Sequence, residues 1–418
     1  MENGIPAYRN DLCHTYSLSA GNSELYVFSI LRRMPVNELK KYLLDIRFIL
    51  PAAFLLLFEL FLQSGLYRNF LRPKSYAANV NNIIRTVKNS RIKPNILILG
   101  TSVAYQGINL PLLNSLLEKE GLRVQSGATE GAVLINQHLI FRNLIQEMPD
   151  VKLLLHFSEI SYPWTSRYLL DVSNRSMAAQ FPRKETLELL SRYEYDLSPS
   201  DYSYFTVRSI TYQSDLRDFV SSPLYRIKLL SRENKEHKDF PYENNYTYSM
   251  AVIQAKDLND CINNFPVGLP QINEKGERIT DRMHMEAMLR TCNLAKRDPM
   301  NIRGAPQWKN LFFKRLKIFI DDVQSRNIKV ITVLPPYSQL IQDSNEKLRL
   351  SVWEEELKKI HNGRESSYID LRHSLDGNDN SSLYYDTIHL NREGSIRLTK
   401  KLAEQLKEIV RKEDLKGN

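Results

Sequence analysis

Cysteine is scarce. Cys13, Cys261 and Cys292 are the only three in 418 residues, and none forms a CxxC pair or faces an HxxxH partner, so a zinc module has no support. An odd count argues against a closed disulfide framework and leaves Cys261 and Cys292 as a pair that would form only if that part of the chain is exported. The eight histidines are scattered, without an HExxH pattern. No metal or cofactor is expected. Basic residues outnumber acidic ones, 57 to 48, for a net charge of +9, yet they form no run of five or six and no basic-aromatic module. That dispersal argues against nucleic acid and leaves an anionic membrane surface or polymer as the compatible partner. Internal repeats and low-complexity tracts are also missing. What remains is a chain that is 42% apolar, enough for a sizeable core and long enough for one large domain with an insertion, or for two domains.

There is one long apolar run, "FILPAAFLLLFELFLQSGLY", over 48–67. A bilayer-spanning helix needs about 20 such residues. Pro51, Glu59 and Gln63 interrupt the run. On an insertion scale Glu59 costs about 2.5 kcal/mol or more, against roughly 0.3–0.6 kcal/mol gained per large apolar residue. The run is read as a single membrane anchor, the alternative being a buried or amphipathic helix packed on a partner. Arg32, Arg33, Lys40, Lys41 and Arg47 precede it, so residues 1–47 are expected on the cytoplasmic side and the rest of the chain outside. The segment from Met34 has the basic head and apolar run of a natural start, and translation is expected to begin there.

After a polar connector over 72–94 the pattern changes. Short continuous apolar runs at 95–100, 122–127, 151–159, 328–336 and 366–372 read as buried parallel strands. Helical periodicity separates them at 110–121, 132–147, 307–327 and 346–362, and a closing helix occupies 392–412. Strand alternating with helix predicts an α/β domain over 95–412, a three-layer sandwich around a five-stranded parallel sheet in flavodoxin-like order 2-1-3-4-5. The rhythm breaks for 160–305, a polar, irregular, tyrosine-rich insertion after the third strand. It is either a solvated cap over the core or a lid whose tyrosines and cations hold a glycan or anionic polymer.

In such sheets ligands bind at the edge where the strands end. Four groups of residues are predicted to meet there: Ser102 in "GTSVAYQG", Gly127 in "SGATEGA", Ser158 and Glu159 in "SEISYPW", and Asp386 with His389 in "YYDTIHLNREGS". A serine hydroxyl needs a base and the base needs an orienting acceptor. Asp386 and His389, three apart, can share one face of a helical turn and serve both roles. The opposing interpretation makes Ser102 a helix cap and Asp386 the capped entrance of the last helix.

"ILILGTSVAYQGIN" and "YYDTIHLNREGS" resemble the first and last blocks of the SGNH/GDSL hydrolase superfamily. The anchor before such a domain resembles membrane-anchored envelope members, among them the alginate O-acetyltransferase accessory and D-alanyl-lipoteichoic acid transfer proteins. The resemblance covers about 95–160 and 305–412. It implies Ser102 as nucleophile, His389 as base, Asp386 as its partner, and oxyanion donors at the backbone of Ser102 and around Gly127. Thr101 stands where the family usually has aspartate. The third block lacks the family's oxyanion asparagine, for which Ser158 is the candidate substitute. Two functions follow. One is an esterase or O-acyltransferase acting on an envelope glycan or lipid, with a membrane-bound acyltransferase as a possible partner. The other is a catalytically weak or inactive relative that binds within an envelope polysaccharide assembly or modification complex.

Overall fold

The five predicted strands form one sheet. They are β1 (Ile96–Leu99), β2 (Val124–Ser126), β3 (Leu153–Phe157), β4 (Lys329–Leu334) and β5 (Tyr368–Asp370). All neighbouring pairs are parallel and the order is β2-β1-β3-β4-β5. The computed structural model describes residues 45–90, 93–158, 171–236, 259–260, 309–341, 346–360, 368–377 and 380–413. The chain divides after Gly65 into two units.

In the first unit, α1 (Ile46–Gln63) is an 18-residue helix, long and apolar enough to cross a membrane. At 1.5 Å per residue it is about 27 Å long, close to the hydrocarbon thickness of a bilayer. Phe48, Leu50, Phe54, Leu55, Leu56 and Leu57 are all exposed along it. Asp45 caps its start by accepting from the Arg47 N–H. Gln63 donates to Glu59 at 2.7 Å, so the two polar interruptions lie one turn apart and satisfy each other. The helix ends earlier than the expected 67. Tyr67 instead lies in a 3₁₀ turn, Leu66–Phe70, of the second unit, buried with its hydroxyl on Asp215 at 2.6 Å.

The second unit begins with a correction. The 72–94 connector contains α2 (Tyr76–Asn89), whose Val80, Ile83 and Val87 recur at helical spacing and are buried in the core. Its other face is asparagine-rich, which made the segment look polar and unstructured. After β1 come α3 (Ser102–Gly107) and α4 (Leu110–Leu117), then β2, α5 (Leu134–Ile145) and β3.

The described part of the insertion is also not irregular. Residues 171–236 fold as α6 (Val172–Ala178), α7 (Arg183–Arg192), α8 (Pro199–Thr206), α9 (Arg208–Thr211), α10 (Gln213–Ser221) and α11 (Pro223–Glu236). Met177, Phe181, Leu189, Leu190, Tyr193 and Phe205 are buried in the same apolar core as α2 and α5. Serine, threonine and aspartate in this stretch act as caps. Asp171 accepts from Asn174 N–H at the start of α6, and Ser198 with Asp201 forms a capping box for α8. This portion extends the apolar core. Most of 237–308, and 159–170, lie outside the described residues, so the lid interpretation falls there. The sheet is completed by α12 (Lys309–Gln324), β4, α13 (Glu346–Ile360) and β5, and the chain closes with α14 (Arg392–Glu413).

Alternate strand residues feed two cores. Leu97, Leu99, Leu154 and Val330 pack with α2, α5, α12 and the insertion helices. Ile96, Ile98, Leu155, Ile331 and Val333 pack with α4 and α14. The sheet is thus buried on both faces, the middle layer of three. Every strand ends at one edge.

Candidate active site

β1 runs into α3 through Gly100 and Thr101. A Cβ on Gly100 would lie 2.8 Å from both the Ala104 and the Phe157 Cβ atoms, so only glycine lets strand and helix approach this closely. Thr101 caps α3 by accepting from the Val103 N–H. Ser102 is the first residue of the helix, partly exposed at the strand-end edge. Its backbone N–H has no acceptor among the described residues.

The segment carrying Asp386 and His389 is not a helical turn. An antiparallel bridge pairs Tyr384 with Leu390, Tyr385 N–H donates to the His389 carbonyl, and Asn391 N–H donates to Leu383. The segment between them is a tight loop. Asp386 Oδ1 holds that loop by accepting from the Ile388 and His389 N–H groups at 2.8 and 2.7 Å. The last helix is capped by another residue. Asn391 accepts from Gly394 N–H through its side chain and from Ser395 N–H through its carbonyl. The loop packs tightly on this first turn: a Cβ on Gly394 would fall 2.2 Å from the Leu383 carbonyl oxygen. Asp386 is therefore not the entrance cap of α14.

Its second oxygen reaches His389. Asp386 Oδ2 lies 2.7 Å from Nδ1, and Nε2 lies 2.8 Å from Ser102 Oγ. An ionised carboxylate can only accept, so Nδ1 carries the proton. Nε2 is then the acceptor for the serine hydroxyl. Asp386 is buried, while the imidazole is partly open to the edge. Serine, histidine and aspartate thus form one hydrogen-bonded series, drawn together from positions 287 residues apart.

The other two predicted residues fare differently. Gly127 N–H donates to the Ile98 carbonyl at 2.8 Å, extending the β1–β2 ladder, and is not directed at a developing oxyanion. Its lack of a side chain has a packing cause, since a Cβ there would come within 2.9 Å of both Leu144 and Leu99. Ser158 is buried just past the end of β3, and its N–H donates to Val333. The paired register ends with Leu99 opposite His156, so Thr101 and Ser158 each lie two residues beyond it, at the strand-end edge. Glu159 lies outside the described residues.

Three more residues surround the series. The Tyr385 ring stacks on the imidazole of His389, with centroids 5.6 Å apart and planes 10° from parallel. Its hydroxyl donates to Gln106 Oε1 at 2.5 Å, and Gln106 Nε2 donates to Glu130 Oε1 at 2.7 Å. Gln106 sits four residues after Ser102, one helical turn away on the same face. Its spacing was the only sequence signal for this group. Two further histidines lie deeper. Burial pushes His156 down to about 4, and His138 likewise despite Asp322 pulling the other way.

No family model matches this chain, and no curated protein matches it in sequence. Among solved structures it is similar to a Bacteroides fragilis NCTC 9343 protein whose description as an acylhydrolase is itself provisional. The identity is 9%, the TM-score 0.34, and the match covers 80% of this chain and 98% of that one. Similarity this loose has no bearing on the reaction.

Proposed function

We propose that this protein is a membrane-anchored SGNH-like esterase or O-acyltransferase that acts on a cell-envelope glycan or lipid. The anchor is the 48–67 run, of which 48–63 lie in α1, with 1–47 on the cytoplasmic side and the 95–412 domain on the extracytoplasmic side. A membrane-bound acyltransferase is the partner that would supply acyl groups. The observation that carries this reading is the continuous series from Ser102 Oγ through His389 to Asp386, at 2.8 and 2.7 Å.

In this mechanism Ser102 Oγ attacks the acyl carbonyl while its proton passes to His389 Nε2. The ester C–O bond then breaks, and the leaving alcohol takes that proton. The acyl group rests on Ser102. A water or an acceptor hydroxyl, deprotonated by the same nitrogen, attacks it and restores the serine. Asp386 holds Nδ1–H and stabilises the imidazolium formed in each half. The Ser102 N–H is the oxyanion donor the chain itself offers.

A second reading, an inactive or weakly active binding relative, is favoured by the oxyanion side. Gly127 N–H is engaged with Ile98, and the third strand ends without the family's asparagine. A serine-reactive fluorophosphonate probe separates the two. Labelling of the wild type that disappears in Ser102→Ala supports the enzyme. Equal labelling of both, or of neither, supports the binding reading.

A further inference from the structure

The helical elbow formed by α10 and α11 carries a cluster of apolar side chains directed at solvent. Val220, Leu224, Tyr225 and Ile227 are exposed, Leu224 to 83%. Leu66 and Phe70 are exposed as well, and the Phe70 ring meets Phe219 edge-on at 6.3 Å, which joins the two groups into one patch. Surface leucines occurring singly need no explanation, but a contiguous group of this kind does.

The elbow is built to hold its shape. Ser222 breaks the helix and Pro223 opens the next one. On the inner side Arg226 is buried. It donates to both oxygens of Asp215 at 3.1 Å, to Asp218, and to the Phe70 carbonyl at 2.9 Å. Asp215 in turn accepts from the Tyr67 hydroxyl and the Arg72 N–H. The outer side is therefore presented rigidly, tied to the chain at Phe70. Exposed cations flank it: Arg72, Lys74, Arg217 and Lys228. Apolar residues bordered by arginine and lysine match the interface of an anionic bilayer, where acyl chains take the former and headgroups the latter.

Chain length supplies the second argument. Phe70 follows Gln63, the end of the apolar helix, by only seven residues, which even fully extended span about 25 Å. An inserted α1 therefore keeps the clamp at Phe70, and the elbow bound to it, within reach of the membrane surface. We infer that the α10–α11 elbow is a second membrane contact, lying in the headgroup layer of an anionic bilayer. This rests on the anchor reading of α1.

The test uses the full chain reconstituted into vesicles of phosphatidylcholine and phosphatidylglycerol that carry a clickable lipid. A benzophenone side chain replaces, one at a time, Leu224, Leu56 within α1, or Lys152, exposed at the strand-entry edge of the sheet. Lipid adducts at 224 and 56, with at least tenfold less at 152, are the expected result. An adduct at 56 with none above the 152 background at 224 overturns the elbow and leaves the anchor standing. A protein–protein adduct at 224 in place of a lipid adduct also overturns it, assigning the patch to a second copy. No lipid adduct at either 56 or 224 removes the anchor reading and this inference with it. An adduct at 224 alone overturns the anchor, and with it the inference that the elbow is a second contact beside α1.

Discussion

The ring of Tyr385 lies flat against the imidazole of His389, 5.6 Å between centroids, and its hydroxyl is tied to Gln106 four residues after Ser102. The ring that would accept the serine proton is thus held from two directions. Asp386 fixes it along its edge, and Tyr385 fixes its plane. Gln106 couples that plane to the helix that presents the serine.

Tyr385 is accordingly expected to act as a positioning residue in the proposed reaction. Tyr385→Phe keeps the stack and loses the hydrogen bond, and kcat/KM on p-nitrophenyl acetate is expected to fall about 3- to 10-fold, the worth of one hydrogen bond. Tyr385→Ala loses both and is expected to fall further, with kcat affected more than KM. Rescue of the Ala variant by phenylalanine separates ring positioning from a general loss of fold. An unchanged kcat in Tyr385→Ala would show that the stack holds nothing the reaction needs.

If Ser102, His389 and Asp386 act as a unit, their losses do not add. Ser102→Ala and His389→Ala should each abolish most activity, and the double variant should be little worse than either. Asp386→Asn should cost up to that amount, because the amide favours the wrong tautomer while leaving both other groups in place. Activity in the wild type should fall on acidification as the imidazole takes up a proton and can no longer accept one from serine. Full activity in Ser102→Ala would defeat the assignment.

Cap and carboxylate belong to different residues, which allows stability and activity to be separated. Asn391→Ala removes the helix cap and should cost about 1 kcal/mol of stability, typical for a lost N-cap, seen as a lower midpoint in urea. Asp386→Asn should cost activity far out of proportion to its effect on that midpoint. If instead Asp386→Asn unfolds the protein as readily as Asn391→Ala and activity merely follows the folded fraction, the carboxylate is structural.

The strand order and the meeting of Ser102 with Asp386 and His389 were legible because both rest on periodicity and topology. Continuous apolar runs separated by helical ones leave few ways to build a sheet, and those ways bring the strand ends together. The geometry of Asp386–His389 was not legible. Three-residue spacing suits a helical turn and an Asx-stabilised loop equally, and the choice was made by the Tyr384–Leu390 bridge and by Asn391 capping the helix. Gly127 misled for a similar reason. A glycine after a strand serves equally as a donor to a ligand or as space for neighbouring side chains, and Leu99 and Leu144 decide for space. In α2 and the insertion, polar caps and asparagines are interspersed with the apolar positions that face the core and mask their helical spacing. Tyr385 gave no signal of its own and Gln106 only its spacing from Ser102, since a hydrogen bond across 279 residues exists only once the fold does.

Beneath the site, His156 gives a prediction about acid. It lies fully inside β3, with one nitrogen on Gln137 at 3.0 Å and its ring against Phe319. Burial pushes it down to about 4 from an ordinary value of 6.5. The folded state therefore keeps it neutral where the unfolded chain protonates it. Its contribution to stability is complete above pH 6.5, declines as pH falls below that value, and is gone once pH passes about 4. The size of that loss is on the order of 3 kcal/mol. His138, depressed by burial in the same way, adds in the same direction. His156→Phe leaves the Gln137 Oε1 without its donor while Gln137 Nε2 keeps the Ala132 carbonyl, so it should be less stable than wild type at pH 7, by about 1–3 kcal/mol. It has no proton to gain, so its stability should fall less steeply between pH 6.5 and 4, and the gap to wild type should narrow or close. Urea titrations of both proteins across that range measure the two slopes. Parallel curves would mean that His156 is protonated in the folded protein as readily as in the unfolded chain, and that burial in β3 does not exclude its charge.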